Sequence, residues 1–405
     1  MRLRTSLAGR LARGAVVAGI TAVATVGGLV GVTSVSASPS SSVVAGPAAA
    51  VSSGSSFGCA LTRVGGVKCW GLNLFGQVGN DTTVSPQPTP VDVVGLTSGV
   101  TAVVAGGFHA CAVTSGGGLK CWGMNSSGQL GDGTTTSRQV PVAVGGLTSG
   151  VRTVSLGLNH TCAVTTAGGV KCWGANLDGQ LGNPATLFST SPVPVVGLST
   201  GVASVAAGGF HTCALSRAGA LRCWGSNFSG EIGDGTTTIR ATPVAVSGLG
   251  SQVATVSAGG SYTCASKMAG EALCWGSNSS GELGLGDQRS RLTPTPLAGL
   301  PTGVTSVSAG HDATTCAIAA GEAWCWGDNQ SGQVGDTTTT ERDLPVRVVR
   351  FPGVAVQVVV GTFQTCALNG MNRAFCWGGN SSGQLGIGKI SGFRHVPAAV
   401  TALGS

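Results

Sequence analysis

Residues 213–233 read Cys-Ala-Leu-Ser-Arg-Ala-Gly-Ala-Leu-Arg-Cys-Trp-Gly-Ser-Asn-Phe-Ser-Gly-Glu-Ile-Gly, and close copies of this stretch recur along the chain. From one copy to the next, the second cysteine advances by 52 residues once and by 51 residues five times. A fixed period of this length, with strand-like segments inside it, is typical of solenoids and propellers. The seven copies therefore predict a fold of repeated units.

All 14 cysteines belong to the repeat, two in each copy. Six pairs enclose nine residues, which leaves a three-residue hairpin loop when the cysteines face each other, and the third loop residue should then be left-handed. Glycine fills that position in five copies and Asn372 in the sixth, while the seventh pair centres on a two-residue loop, Ala320-Gly321. The predicted pairs are Cys59 with Cys69, Cys111 with Cys121, Cys162 with Cys172, Cys213 with Cys223, Cys264 with Cys274, Cys316 with Cys325, and Cys366 with Cys376.

In this register the two cysteines of a copy form a non-hydrogen-bonded pair with Cα atoms about 4.5 Å apart, a separation that accepts a disulfide. Zinc sites instead use Cys-x2-4-Cys spacing, which none of these pairs has. The sequence thus predicts one disulfide in each repeat, worth roughly 2–3 kcal/mol by the chain-entropy estimate.

The first 37 residues have the pattern of an export signal. Four arginines precede an uncharged, mainly apolar run, and Val35-Ser36-Ala37 offers small residues for cleavage. The run is long for a signal peptide, so an uncleaved membrane anchor is the alternative. Export agrees with the cysteines, because disulfides persist outside the reducing cytosol. We expect a secreted or cell-surface protein.

Charge argues against a nucleic-acid ligand. Only 9% of the residues are charged, and the formal net charge of +7 falls to +3 when the four arginines of residues 1–37 leave with the signal. No basic cluster remains to follow a phosphate backbone.

After a Ser/Pro/Ala-rich linker at residues 38–47, each repeat begins with an apolar strand, followed by the hairpin, an Asn-x-x-Gly-Gln/Glu-Leu-Gly turn and a strand headed by proline, such as Pro141–Val144. Four short strands per unit and seven units predict an all-β, seven-bladed β-propeller with four antiparallel strands per blade. The predicted repeats span approximately residues 48–99, 100–150, 151–201, 202–252, 253–303, 304–354 and 355–400, with a tail at 401–405.

One tryptophan follows the second cysteine of every copy and should point to the blade face opposite the cysteines. These side chains are expected to supply the largest contacts between blades. They are Trp70, Trp122, Trp173, Trp224, Trp275, Trp326 and Trp377.

The approach Gly209-x-His211-x-x-Ala214-Leu215, the run from Trp122 to Gly131 and the period together resemble the regulator of chromosome condensation repeat family. The resemblance covers residues 48–400 and implies a seven-bladed propeller. Eukaryotic members include a guanine-nucleotide exchange factor for a nuclear GTPase that also binds chromatin, and a shorter-repeat bacterial relative is a secreted inhibitor of β-lactamases. The cysteine pair in every blade and the export signal indicate a secreted, bacterial-type member.

Several motifs contain residue types that can carry chemistry. His109, His160 and His211 occupy equivalent positions and are interpreted as structural, with a metal site as the alternative. His311-Asp312 lies in an approach one residue longer than its siblings, which indicates either a functional bulge or local strain relief. The motif Gly54-x-Ser56-x-Gly58 has no helix after it, as a nucleophile elbow would need.

Two further sets concern the turn. Glu231 and Glu282 replace glutamine there and are expected on the surface. Five turn asparagines match the N-glycosylation pattern: Asn125, Asn227, Asn278, Asn329 and Asn380. No catalytic, cofactor or metal site is predicted.

The sequence therefore predicts a monomeric, non-catalytic scaffold that binds an extracellular protein through loops on one rim. The segments that differ most between copies are residues 80–90, 183–194, 286–296 and 387–397. An extracellular polysaccharide-binding or polysaccharide-cleaving propeller is the second hypothesis, and nucleotide exchange, by family analogy, is the third. Contact with a membrane is expected only if the N-terminal segment stays uncleaved.

Overall fold

The computed structural model describes residues 48–403, which form 28 strands in seven four-stranded antiparallel sheets. Each sheet consists of four consecutive strands, so every blade is local in sequence, and among residues 48–403 the seventh blade takes no strand from the first. The predicted fold class is confirmed. The export signal and the linker lie outside the described residues.

The strands are given by their rank within a blade, from the central axis outward. The innermost strands are β1 Ala48–Ser53, β5 Val100–Ala105, β9 Val151–Leu156, β13 Val202–Ala207, β17 Val253–Ala258, β21 Val304–Ala309 and β25 Ala355–Val360. The second strands are β2 Phe57–Thr62, β6 His109–Thr114, β10 His160–Thr165, β14 His211–Ser216, β18 Tyr262–Lys267, β22 Thr314–Ala319 and β26 Gln364–Asn369. The third strands are β3 Val67–Gly71, β7 Leu119–Gly123, β11 Val170–Ala175, β15 Leu221–Gly225, β19 Ala272–Gly276, β23 Glu322–Gly327 and β27 Ala374–Gly379. The outer strands are β4 Gln87–Asp92, β8 Arg138–Ala143, β12 Phe188–Pro194, β16 Arg240–Ala245, β20 Arg291–Pro296, β24 Arg342–Arg347 and β28 Phe393–Ala399.

The two middle strands of every blade form the predicted hairpin, closed by a disulfide. The cysteines face each other in the ladder, and in all seven bonds the Cα atoms are 4.1 Å apart. The bonds join Cys59 to Cys69, Cys111 to Cys121, Cys162 to Cys172, Cys213 to Cys223, Cys264 to Cys274, Cys316 to Cys325, and Cys366 to Cys376. Every bond lies within one blade, as the sequence predicted.

The hairpin loops have the predicted left-handed backbone at their third residue. Gly219 (φ 80°) and Asn372 (φ 58°) are examples. In the shortened loop both Ala320 (φ 51°) and Gly321 (φ 76°) are left-handed, as a two-residue hairpin turn requires. The shorter loop therefore closes the hairpin without moving the disulfide.

The outer strands differ from the prediction. They begin earlier than the proline that was expected to head them: Pro141 lies inside β8, which starts at Arg138. The ladder between β7 and β8 shifts register between Cys121 and Gly123, so the proline sits beside an irregularity on an edge strand. Such a place tolerates the missing N–H group.

The hydrophobic core lies between the blades. Each of its seven clusters combines side chains of two neighbours, and one joins Trp70 of the first blade to Leu368 and Leu385 of the seventh, which closes the ring. All 14 cysteines and the seven repeat tryptophans are fully buried. Because both faces of a blade are covered, the strands of a chain with 42% hydrophobic residues can be apolar on both sides.

A ring of seven glycines surrounds the axis where each innermost strand ends. A Cβ atom on Gly157 would lie 2.3 Å from the carbonyl oxygen of Gly208 in the next blade, and the same contact repeats around the circle to Gly361, whose Cβ would meet the carbonyl oxygen of Gly54 at 2.3 Å. Only a residue without Cβ allows neighbouring blades to approach this closely. Within residues 48–403, no helix has the length and apolarity that a membrane span needs.

Candidate functional site

The repeat tryptophans bond each blade to the one before it. Every indole Nε1–H donates to the main-chain carbonyl of the turn Gln or Glu in the preceding blade, at 2.8–3.0 Å. At the ring closure Trp70 donates to Gln384. These side chains are therefore fully enclosed structural elements, with no polar group left to offer a ligand.

The three equivalent histidines take part in a second set of bonds between blades. His109 Nε2 lies 2.8 Å from Thr161 Oγ1, and that hydroxyl donates its only proton to the Gln129 carbonyl. The histidine must therefore carry its proton on Nε2 and donate it. His160 with Thr212 and His211 with Thr263 repeat the arrangement.

Where a histidine holds this position, the next blade supplies a threonine hydroxyl. Phe57 and Gln364 hold the position in two other blades, and the residues aligned with that threonine in the blades that follow them are Ala110 and Gly58, neither of which has a hydroxyl group. Gln364 instead donates through Nε2 to Ser53 Oγ and to the Gly54 carbonyl, both at 2.9 Å.

Burial keeps these histidines neutral. Burial and, to a smaller extent, the neighbouring histidines lower the pKa of His109 and His160 to about 3. Burial lowers the pKa of His211 to about 4, against the opposing charge of Glu231. Within the part of the chain that the structure describes, no three His, Cys, Asp or Glu side chains come together to hold a metal ion.

Glu231 and Glu282 are not surface residues, and that expectation was wrong. Each is only 2% exposed, because the turn folds inward between two blades. The carboxylate of Glu231 accepts from Ser226 Oγ at 2.6 Å and from the Ser229 N–H at 2.8 Å, and Glu282 has the matching pair, Ser277 and Ser280. These donors satisfy the buried charge.

The turn asparagines are equally enclosed. Asn125 Oδ1 accepts from the Leu130 N–H, and its Nδ2 donates to the Thr136 carbonyl. A side-chain amide that is buried and used on both sides cannot carry a glycan in the folded protein. The five sequence matches therefore reflect a turn motif.

The axis holds a small channel. Its wall carries Ser52, Ser155, Ser257 and Ser308, whose hydroxyls accept from a main-chain N–H of the next blade at 2.9–3.1 Å. His311 lines the same cavity, whose volume is about 170 Å³.

His311 extends from the longer approach of the sixth blade toward the main chain of Leu156 in the third. Burial lowers its pKa to about 4, opposed by that main-chain contact. Its Nε2 is enclosed without a hydrogen-bond partner among residues 48–403, although the residue as a whole is only partly buried. The side chain narrows the channel, and the cavity is too small for a drug-sized ligand.

The motif at residues 54–58 spans the end of the inner connection and the start of β2, with no helix after it. The Ser55 N–H donates to the Gly107 carbonyl of the next blade. This segment joins blades and does not have the geometry of a nucleophile elbow.

One face of the disc carries most of the exposed apolar side chains. We call the face formed by the first-to-second and third-to-fourth strand connections the front face, and the opposite one the back face. The five exposed phenylalanines of residues 48–403 all lie in front-face connections or at the strand end beside them: Phe188, Phe210, Phe228, Phe363 and Phe393. Exposed aromatic residues are typical of protein-binding surfaces. The sequence alone did not decide between the rims, although a phenylalanine inside the polar turn at 227–230 was a visible signal.

Four blades also carry an arginine–aspartate pair at the outer rim. Arg138 donates from Nε and Nη2 to Asp132 Oδ2, at 2.9 and 2.8 Å, and the same pair recurs as Arg240–Asp234, Arg291–Asp287 and Arg342–Asp336. Burial alone would raise the pKa of Asp132, but hydrogen bonds from Thr134 and Arg138 outweigh it and the pKa is lowered. This pairing was not predicted, although the arginine follows the turn asparagine by 13 residues in all four blades and the aspartate follows it by seven in three of them.

The fold and these repeated bonds between blades define a seven-bladed propeller of the chromosome-condensation-regulator class. A family model of the RCC1-like domain matches residues 23–349. The chain therefore belongs to the RCC1-like domain family.

Among curated proteins, the chain is 33% identical over 362 residues to the ultraviolet-B receptor UVR8 of Arabidopsis thaliana, a match that covers 87% of this chain and 81% of UVR8. It is 34% identical over 258 residues to the probable E3 ubiquitin-protein ligase HERC6 of Homo sapiens, covering 62% of this chain and 25% of HERC6.

Among solved structures, Prp20p from Saccharomyces cerevisiae superimposes with a TM-score of 0.74 at 20% identity, covering 84% of this chain and 87% of that one. Human WBSCR16 superimposes with a TM-score of 0.70 at 24% identity, and the match covers 79% of this chain and 86% of that one. At these identities the superpositions show the fold alone.

Proposed function

We propose that this protein is an exported, non-catalytic scaffold that binds another protein through the front face of the propeller. The observation that carries the proposal is the gathering of all five exposed phenylalanines on that face. The blades beneath them are fixed by a disulfide in each hairpin, so the loops stand on a rigid support.

The disulfides also support export. Seven bonded pairs with no free cysteine among the described residues suit an oxidising compartment. The buried histidines, glutamates and tryptophans are all used in contacts within or between blades, which leaves the loops to provide a function.

The relatives share the propeller with this chain, but their names describe different activities. One is named an ultraviolet-B receptor and another a probable E3 ubiquitin-protein ligase, of which this chain matches only a quarter. A propeller can carry unrelated functions, so neither activity is transferred to this chain.

The proposal is tested with two matched variants of the purified, disulfide-bonded chain. The front variant replaces the five exposed phenylalanines with serine, and the back variant replaces five exposed apolar residues of the other face: Val64, Met268, Val354, Val356 and Met371. We expect saturable binding to one extracellular protein by the wild type and the back variant, and its loss in the front variant.

Equal binding by both variants would reject the front face as the binding surface. Glycan arrays and depolymerisation assays on the same material test the polysaccharide hypothesis, and nucleotide release from a small GTPase tests exchange. Saturable sugar binding, cleavage of a polysaccharide bond or accelerated nucleotide release would each contradict the scaffold proposal.

A further inference from the structure

The seventh blade breaks the rule of the rim arginines. Arg394 faces Gly378 in the ladder, the position that Arg138, Arg240, Arg291 and Arg342 hold in their blades. Each of those four is paired with an aspartate of its own blade. Among residues 48–403, Arg394 has no ion pair, and its Nε is buried without a hydrogen-bond partner.

The missing carboxylate can be traced along the chain. The aspartate lies seven residues after the turn asparagine in three blades, and nine residues after it in the fifth blade, at Asp287. In the seventh blade these two positions hold Ile387 and Lys389. The first and third blades, which also have no acid at either position, have Gln87 and Ser189 in place of the arginine. Only the seventh blade has the rim arginine without an aspartate at either of the two positions.

The surroundings of Arg394 are also cationic. It lines a pocket of about 470 Å³ between the sixth and seventh blades together with Arg350 and Lys389, and no carboxylate is among the lining residues. Arg350 and Lys389 are exposed, whereas Arg394 is half-buried.

Arg350 occupies a position of the repeat that is left-handed in every blade. Its φ is 58°, where five blades have glycine, as at Gly299, and the seventh has Ala402 with a φ of 52°. The sixth blade thus places a cationic side chain at a turn where the other blades have glycine or alanine.

The pocket has an apolar side too. Phe393 is 46% exposed and packs edge-on against His395, with ring centroids 4.8 Å apart. His395 Nδ1 donates to the Thr338 carbonyl, which fixes the ring. Val396 and Phe393 thus offer contact area for an aliphatic side chain beside the charged groups.

We propose that this pocket binds a carboxylate of an acidic peptide segment. The peptide carboxylate would pair with the Arg394 guanidinium, as an aspartate of the same blade pairs with the equivalent arginine in four other blades. Arg350 and Lys389 add charge at the entrance, and Phe393 contacts an apolar residue next to the acid. This assignment rests on the proposed scaffold function, since it specifies the chemistry of the protein partner.

The probes are a short blocked peptide of aspartates and leucines, the same peptide with asparagines, a galacturonate oligosaccharide and inorganic phosphate. Binding is measured by fluorescence anisotropy or calorimetry on the disulfide-bonded chain. We expect the acidic peptide to bind about tenfold or more tightly than its asparagine counterpart, because charge-assisted bonds to arginine are lost in the latter.

Three variants locate the site. Arg394→Gln should weaken binding of the acidic peptide by about tenfold or more, while Arg342→Gln, at the equivalent but paired position, should leave it unchanged. Ile387→Asp restores the internal carboxylate and should block the peptide while all cations remain. If the substitution at Ile387 disturbs folding, Lys389→Gln is the alternative, because it removes a charge at an exposed position and should also weaken binding of the acidic peptide.

The outcomes separate this inference from the scaffold proposal. Binding of the acidic peptide that is unchanged in Arg394→Gln overturns the site, even if the front-face variant still loses its partner. Tighter, Arg394-dependent binding of galacturonate overturns the peptide as ligand, and equal binding of phosphate overturns carboxylate selectivity. Arg394-dependent peptide binding without any front-face partner keeps this site and removes the front-face proposal.

Discussion

At the scale of single residues, glutamate and glutamine at the turn use different polar partners within their own blade. Glutamate at 231 has a serine hydroxyl opposite it, whereas glutamine at 333 donates through Nε2 to Asp328 Oδ2 at 2.7 Å. The choice between Glu and Gln at the turn therefore follows the residue two places after the tryptophan. Glutamate in place of Gln333 would leave its carboxylate and that of Asp328 facing each other as two acceptors, which is costly in a buried place.

The buried histidines predict how stability depends on pH. Their pKa in the folded chain is lowered by burial to about 3 for His109 and His160 and to about 4 for His211 and His311. The unfolded chain, with an ordinary histidine pKa near 6.5, therefore takes up protons first as the pH falls. The contribution of the neutral histidines to the free energy of unfolding is complete above about pH 6.5. It is lost as the pH drops toward 4, by up to about 1.4 kcal/mol per pH unit for each histidine.

Denaturation midpoints at pH 7, 5.5 and 4.5 measure this loss. The control is the triple variant His109→Gln, His160→Gln and His211→Gln, because glutamine already fills this position in the seventh blade at Gln364. We expect a flatter pH profile for that variant between 6.5 and 4. A profile as steep as that of the wild type would show that other groups, such as the aspartates with lowered pKa, cause the acid sensitivity.

At the scale of strands and turns, the sequence was most informative where one chemical constraint fixes the geometry. Cysteine spacing and the left-handed loop residue determine the hairpin, and both were predicted correctly. The outer strand was placed too late because Pro141 looks like a strand start, while the ladder tolerates it at an irregularity. The burial of Glu231 was missed because a turn rich in Gly, Ser and Asn normally lies on the surface. Here the turn packs between blades, a tertiary fact that no local pattern contains.

The inner connections give a second prediction. Replacing Gly157 with alanine places a Cβ atom 2.3 Å from the Gly208 carbonyl oxygen and 2.4 Å from His160 Cε1, so two blades must move apart. We expect a loss of stability of about 1–3 kcal/mol, measured by urea or thermal unfolding. Gly116→Ala, in a hairpin loop with nothing within 4 Å of the new Cβ, is the control and should be neutral or slightly stabilising. Similar effects at both positions would mean that the loss comes from the unfolded chain and not from the glycine ring.

At the scale of the whole molecule, the ring closes without exchange of a strand, so side chains must hold the first and seventh blades together. Gln357 binds the N–H and the carbonyl of Val51, each at 3.0 Å, and Gln364 donates to Ser53 and Gly54. Trp70 completes the closure with the same bond that every other blade makes. The two glutamines are thus particular to this junction, where Gly58 provides no hydroxyl for a histidine.

The junction gives the last prediction. The double variant Gln357→Leu and Gln364→Leu removes the bonds of the glutamines to the N–H and carbonyl of Val51 and to the carbonyl of Gly54, so we expect a loss of stability of about 2–4 kcal/mol. Hydrogen exchange should accelerate in β1, β2, β25 and β26, whereas β13–β18, on the far side of the ring, should keep their protection. Gln252→Leu, at an exposed position before β17, is the control and should change neither stability nor exchange. Uniform acceleration around the ring would show that the propeller opens as one cooperative unit, and unchanged exchange at the junction would show that the tryptophan bond and the apolar cluster are sufficient to close it.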